Sequence, residues 1–138
     1  MSVETLELVR RAYEAFDNDL DGLLRLLDPA IEWVSPNEAL EPGSRRGHQG
    51  VRDAFAATAV AWAEPTHTPE EFFDADDKVI VRVTFRGHGR GSGMDAERLE
   101  FHVWTVDGGL LARFEWFYDQ SKALEAVGLR EEDLEPAE

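Results

Sequence analysis

Four histidines are the residues of this chain best suited to acid–base chemistry near neutral pH, and one of them differs from the others in its position. His48, His67 and His88 fall in predicted loops or at the ends of predicted elements, where a solvated histidine is ordinary. His102 lies in the middle of a predicted strand, and Glu100, two residues earlier, shares its face because side chains alternate along a strand. We therefore predict His102 and Glu100 as catalytic residues, while a hydrogen-bonded structural role for His102 stays open.

The stretch EFHVWTVDGGLLARFEWFYD contains His102 and six aromatic residues, and its pattern predicts two strands joined by an Asp-Gly-Gly turn. Which rings share the face of His102 depends on that turn, since one residue of slip moves every side chain to the other face. A two-residue loop, Asp-Gly, places Phe101 opposite Phe114, and the apolar parity of the first strand favours it. A three-residue loop, Asp-Gly-Gly, places His102 opposite Phe114 and keeps the histidine among the rings.

Several other chemistries are excluded by composition and spacing. The chain has no cysteine and no histidine pair at i, i+4 spacing, so we predict no metal site and no cofactor. The glycine-rich GHGRGSG stretch lacks the lysine and the helix start of a phosphate-binding loop. A net charge of −15, from 14 basic and 29 acidic residues, repels nucleic acid. The absence of a long apolar run or a signal-peptide pattern predicts no membrane association and a cytoplasmic location.

The elements that position these residues are predicted from hydrophobic periodicity. Helical spacing predicts helices at 3–16, in LDGLLRLLDP, at 48–62 and at 121–127. Alternation predicts strands in AIEWVSP and at 71–75, 79–88, 97–106 and 110–119. Helices that precede a run of antiparallel strands are typical of the α+β class. We expect a single domain at residues 1–130, followed by an acidic C-terminal tail at 131–138.

The stretch HVWTVDGGLLARFEWFYDQSKALEAVGL resembles the C-terminal signature of SnoaL-like domains, in the nuclear transport factor 2-like (ketosteroid isomerase-like) superfamily. There a His-x-Trp strand runs into an Asp/Gly turn, a second strand and an Asp-x-x-x-Ala-Leu helix. The segments LVRRAYEAFDNDLDGLLRLLDPAIEWVSP and RRGHQGVRDAF resemble the opening helices, first strand and third helix of the family. The resemblance spans residues 3 to 129. It implies a curved antiparallel sheet wrapped around three N-terminal helices, cone-shaped with a pocket at the open end.

The same resemblance favours the three-residue loop and thereby assigns the two faces of the sheet. The residues implied to line the concave pocket are His102, Trp104, Phe114, Trp116 and Tyr118, opposed by Trp33 and Ser35. The residues implied on the convex face are Leu99, Phe101, Val103 and Phe117. Exposed apolar residues need cover, and a second subunit supplies it in similar proteins, so we expect a homodimer through the convex face.

The implied function is the binding of a small, largely hydrophobic or aromatic metabolite in that pocket. Ketosteroid isomerases combine an aspartate base with a tyrosine and a protonated acid; the matching positions hold Ser35, Ala12 and His102, so that set is not retained. One hypothesis is proton-transfer chemistry of isomerase, cyclase or dehydratase type, with His102 as general acid or base. The alternatives are a non-catalytic ligand-binding protein and a dimeric interaction module with an incidental pocket.

Overall fold

The computed structural model describes residues 2–137, and its helices lie close to the predicted ones. They are α1 (Val3–Phe16), α2 (Leu20–Leu26), α3 (Gly47–Ala61) and α4 (Gln120–Val127). Ser2, Asp19 and Asp119 cap α1, α2 and α4, because each side chain accepts a hydrogen bond from a backbone amide of the first turn. Apolar residues at helical spacing on α1 face the sheet and are buried there.

Seven strands within residues 2–137 form one curved, open sheet in the order β2-β1-β6-β5-β4-β3-β7. They are β1 (Leu27–Ser35), β2 (Gly43–Arg46), β3 (Trp62–Ala75), β4 (Lys78–Gly89), β5 (Asp95–Asp107), β6 (Leu110–Phe117) and β7 (Glu135–Pro136). The predicted α+β class is confirmed. The sheet is mixed rather than wholly antiparallel, because β1 pairs with β6 in the parallel sense after a long crossover through α3 and β3–β5.

Strand β3 is much longer than predicted, since it begins at Trp62 rather than at residue 71. The prolines at 65 and 69 predict a loop there. They are tolerated because the outer side of β3 carries only the two-residue strand β7, which pairs at Phe73 and Asp74. Proline lacks an amide hydrogen and is therefore accepted where no neighbouring strand needs one.

The β5–β6 hairpin reaches the predicted face assignment by a different route. Asp107 pairs with Leu110, so the turn is Gly108-Gly109, and both glycines have positive φ (61° and 81°). Neither of the two predicted loops is formed. A register shift next to Thr105 then adds one residue to β6, so that His102 lies opposite Trp116 and not opposite Phe114. Turn and bulge together restore the parity that puts His102 on the aromatic face.

The convex face is partly covered by the chain itself. Phe101 and Val103 are buried there against Ala123 and Leu124 of α4. The expectation that these two strand residues need a second subunit for cover is therefore wrong, because α4 folds back over them. Leu99, further along β5, is 48% exposed.

The residues predicted as an acidic tail also contact the sheet. Residues Glu131–Asp133 form one 3₁₀ turn, and Glu135–Pro136 pair with β3 as strand β7. Within residues 2–137, none of the helices combines the length and the apolar character that crossing a membrane requires.

Candidate functional site

A cavity of about 340 Å³ lies between the C-terminal end of α1, helix α3 and the concave face of the sheet. Its size is within the range of small-molecule sites, and its wall combines aromatic rings and small apolar residues with a set of polar side chains. The aromatic lining residues are Phe16, Trp33, Phe55, Trp62, Phe85, Phe114, Trp116 and Tyr118. The polar lining residues include Asp17, Ser35, Arg45, His67, Arg98, Glu100 and His102.

The residues predicted from sequence fall into two groups. Those that line the cavity are Trp33, Ser35, Glu100, His102, Phe114, Trp116 and Tyr118. The prediction that Trp104 lines it is wrong: Trp104 is fully buried, and its indole N–H donates to the Tyr13 hydroxyl at 2.8 Å. The reason is that Tyr13 and its neighbours on α1 pack directly over this part of β5 and leave no space there.

Glu100 is a buried carboxylate whose two oxygens have different partners. Its Oε1 accepts a hydrogen bond from His102 Nε2 at 2.9 Å, and its Oε2 accepts from Nε and Nη2 of Arg98 at 3.1 and 2.9 Å. Burial raises the pKa of Glu100, but the His102 hydrogen bond and the charges of His102, His67 and Arg98 outweigh it and lower that pKa from 4.5 to about 2. Glu100 is therefore ionised near neutral pH.

His102 is 1% exposed, and both of its ring nitrogens are engaged. Because an ionised carboxylate can only accept, Nε2 carries the hydrogen that is shared with Glu100. Nδ1 then accepts from the Tyr13 hydroxyl at 2.7 Å, and that hydroxyl in turn accepts from Trp104. Burial lowers the pKa of His102, against the opposing effect of Glu100. Burial also raises the pKa of Tyr13 well above 10. Trp104, Tyr13, His102 and Glu100 thus form one continuous hydrogen-bonded network.

Asp17 and His67 form a second histidine–carboxylate pair, which sequence reasoning missed. Asp17 directly follows α1, and its Oδ1 accepts from His67 Nδ1 at 2.7 Å while its Oδ2 accepts from the His67 backbone amide at 2.6 Å. This contact assigns the hydrogen to Nδ1 and leaves the Nε2 lone pair of His67 available. Nε2 lies 4.0 Å from Glu100 Oε1, which is beyond hydrogen-bonding distance. The flanking prolines predict a loop at His67, whereas it lies in β3 and faces the cavity.

Arg98 is the other residue that sequence reasoning missed. Its guanidinium carbon lies 4.4 Å from the centroid of Phe85 and 5.0 Å from that of Tyr118, so the cation is stacked among the cavity rings. The signal that could have found it is parity, since Arg98 precedes Glu100 by two residues and must share its face. The side chain is 32% exposed, whereas that of Glu100 is only 4% exposed.

The acidic groups of the cavity are all paired. Each cavity carboxylate has a partner: Asp17 has His67, Glu41 has Arg45, and Glu100 has His102 and Arg98. Across residues 2–137, no three histidine, aspartate or glutamate side chains are grouped so as to hold a metal ion. The Nε2 of His67 faces this cavity with its lone pair free, and a general base requires such a lone pair within reach of the substrate.

Comparisons with known proteins agree with this fold. Residues 9–114 match the family model of the SnoaL-like domain. The chain is similar to an NTF2-like protein from Burkholderia thailandensis E264, with 30% identity, a TM-score of 0.78 and coverage of 91% of this chain and 98% of the other. It is also similar to an NTF2-like protein of unknown function from Burkholderia pseudomallei K96243, with 28% identity, a TM-score of 0.77 and coverage of 92% and 98%.

A third similar structure is TerC co-crystallised with polyporic acid, with 26% identity, a TM-score of 0.76 and coverage of 91% and 98%. No protein of curated function matches the chain significantly.

Proposed function

The chain belongs to the SnoaL-like domain family, and from this premise we propose that it catalyses proton transfer on a small, largely hydrophobic or aromatic metabolite, in a reaction of isomerase, cyclase or dehydratase type. The proton is removed from a carbon atom next to a carbonyl group, where C–H bonds are acidic enough for a protein base. The observation that carries the proposal is the Asp17–His67 pair, whose free Nε2 faces the aromatic cavity.

In this proposal His67 is the general base that takes the proton. Asp17 fixes the tautomer and stabilises the imidazolium that forms, as a carboxylate does for any histidine base that it orients. Glu100 lies 4.0 Å from Nε2 and adds a second negative charge on the side where the positive charge develops. The proton then returns from His67 to a different atom of the same substrate.

Glu100 and His102, predicted from sequence as the catalytic pair, have supporting roles in this proposal. His102 donates to Glu100 and holds its carboxylate in place, while Tyr13 holds His102. Because both ring nitrogens of His102 are engaged, it positions Glu100 and does not itself exchange protons with the substrate.

The aromatic wall supports a flat apolar ligand. Trp33, Phe114, Trp116 and Tyr118, proposed from sequence as ligand-binding residues, offer ring faces and edges for stacking, and Ser35 holds the Trp116 indole by a 3.1 Å hydrogen bond. The relative TerC was crystallised with polyporic acid, which makes that compound a suitable first ligand to test.

Deuterium exchange tests the proposal without knowledge of the natural substrate. We expect the protein to accelerate exchange of the α-protons of 2-tetralone, a flat enolisable ketone, in deuterated buffer near neutral pH, followed by proton NMR. His67→Gln should lower the enzymatic rate by about 100-fold or more, the contribution typical of a general base. Exchange that is unchanged in His67→Gln contradicts the proposal.

His88→Gln is the matched control. His88 also pairs with an aspartate through Nδ1, at 2.8 Å from Asp95, but this pair is largely exposed outside the cavity. The His88→Gln variant should therefore leave the exchange rate of the 2-tetralone protons unchanged. If the wild-type protein binds polyporic acid but exchanges no protons from 2-tetralone, the proton-transfer proposal fails and the non-catalytic binding protein takes its place.

We also infer a homodimer through the convex face of the sheet. The support is Leu99, a large apolar residue that is 48% exposed on β5 outside the area that α4 covers. Sedimentation velocity should give a dimer for the wild-type protein and a monomer for Leu99→Arg. If the wild-type protein and Leu99→Arg are both monomeric, the inferred homodimer is contradicted.

A further inference from the structure

A base alone does not transfer a proton from carbon, because the negative charge left on the substrate also has to be stabilised. When His67 Nε2 takes an α-proton, the C–H bond breaks, its electron pair forms a carbon–carbon double bond, and the carbonyl π pair moves to oxygen. A neutral substrate thus becomes an enolate beside an imidazolium. Donors placed in advance at the position of that oxygen usually supply the largest share of the stabilisation.

Arg98 lies in register with the proposed base. On the concave face, His67 of β3 pairs with Phe85 of β4, and Phe85 pairs with Arg98 of β5. Both side chains contact the Phe85 ring, at 5.1 Å for His67 and 4.4 Å for Arg98. The two side chains also lie at different oxygens of Glu100. His67 Nε2 is 4.0 Å from Oε1, and Arg98 Nη2 donates a hydrogen bond to Oε2. The base and the cation therefore sit on either side of one part of the cavity.

The guanidinium of Arg98 is held rigidly and still has hydrogens to donate. Nε and Nη2 bind Glu100, which fixes the plane of the group, and the surrounding rings of Phe85 and Tyr118 restrict its rotation. Nη1 donates no hydrogen bond within residues 2–137, and the side chain lines the cavity with 32% of its surface exposed. A donor fixed before the reaction needs no reorganisation when charge develops.

The charges of the cavity match the two charges that the reaction creates. Asp17 and Glu100 are next to His67, where positive charge appears, and the guanidinium of Arg98 contacts Glu100 and the cavity rings. Arg45 also lines the cavity, but it pairs with Glu41. We propose that Arg98 stabilises the substrate oxyanion, so that the substrate is a neutral carbonyl compound whose oxygen accepts a hydrogen bond from Nη1. This inference rests on the proposed function, since it names the partner of the same proton transfer.

Binding of 4-nitrophenolate, compared with that of uncharged 4-nitroanisole, tests this inference without any turnover. The phenolate carries an anionic oxygen on a flat ring and so imitates an enolate. Equilibrium dialysis above the pKa of the free phenol should show that the wild-type protein prefers the phenolate by about tenfold or more, the value of one charge-assisted hydrogen bond.

The decisive comparison is between Glu100→Gln and the double variant Arg98→Met/Glu100→Gln. These proteins differ only in the guanidinium, and the double variant does not leave Glu100 as an unpaired buried charge. The preference for the phenolate should be lost in the double variant and present in Glu100→Gln. Circular dichroism and thermal unfolding verify that both variants are folded.

Arg86→Met is the control for general loss of positive charge, because Arg86 pairs with Glu97 on the opposite face of the sheet. It should keep the wild-type preference. Equal binding of the two compounds by the wild-type protein, or a preference that persists in Arg98→Met/Glu100→Gln, overturns the inference. Neither result depends on whether His67 exchanges protons, so the two proposals fail separately.

Discussion

Acid unfolding measures how strongly the folded chain stabilises the ionised form of Glu100. The perturbation is Glu100→Gln, which retains the size of the side chain and an oxygen that accepts from His102, but removes the charge that Arg98 contacts. The folded state lowers the pKa of Glu100 from 4.5 to about 2, because the hydrogen bond and charge of His102 and the charges of His67 and Arg98 together exceed the effect of burial. A group with a lowered pKa stabilises the folded chain above its ordinary pKa, and this stabilisation disappears as the pH falls through the folded value.

The expected magnitude follows from that shift. Each pKa unit corresponds to about 1.4 kcal/mol, so ionised Glu100 contributes about 3 kcal/mol of unfolding free energy near neutral pH. About 2 kcal/mol of this is lost by about pH 3, where the unfolded carboxyl is mostly protonated and the folded one is not. The net charge of −15 makes the whole chain respond to acid, so the informative quantity is the difference between two proteins.

Urea unfolding at several pH values, followed by circular dichroism, supplies that difference. The advantage of the wild-type protein over Glu100→Gln should shrink as the pH falls from about 6 to about 3. Glu97→Gln is the control, because Glu97 lies on the same strand and binds Arg86 at 2.7 Å but is 63% exposed, and exposed pairs contribute little. The assignment of Glu100 as a buried, ionised carboxylate would be refuted if the difference in unfolding free energy between the wild-type protein and Glu100→Gln were constant with pH. It would also be refuted if that difference had the same size as the difference between the wild-type protein and Glu97→Gln.

Three further predictions concern the core, the buried network and the hairpin turn. Trp104→Ala should cost about 3–5 kcal/mol in urea unfolding because the ring is fully buried, whereas Trp116→Ala should cost far less and change ligand-induced fluorescence, since Trp116 lines the cavity. Tyr13→Phe should cost about 1–3 kcal/mol in the same assay, because it leaves buried groups of His102 and Trp104 without a partner. Gly109→Ala should lower the melting temperature by the equivalent of about 1–2 kcal/mol, because its φ is 81°, while Gly91→Ala, at a position with open space and no positive φ, should not.

Much of the fold is readable from local patterns. The helical period around Val3–Phe16, the capping side chains and the alternation of Phe114 and Trp116 on one face each depend on residues close together in the chain. The face shared by Glu100 and His102 follows from the period of a strand for the same reason.

The hairpin shows where local reasoning fails. The predicted three-residue loop and the observed Gly108-Gly109 turn differ by one residue, and the shift next to Thr105 compensates for it. A bulge is stabilised by packing on both sheet faces, so the turn residues alone do not reveal it. The observed pairing keeps His102 and Trp104 on the same face as Phe114 and Trp116, although the opposed residues differ from the predicted ones by two positions.

The fold class, the family resemblance and the aromatic face that carries Glu100 and His102 are all readable from the amino-acid sequence. The groups that meet in the cavity are set instead by contacts between distant segments: His67 binds Asp17 across 50 residues of chain, and Tyr13 binds His102 across 89. The physical reason is that periodicity fixes the direction in which a side chain points, but hydrogen bonds between distant segments depend on how the curved sheet closes around α1. The same closure buries Trp104 behind the wall and leaves the lone pair of His67 facing the cavity.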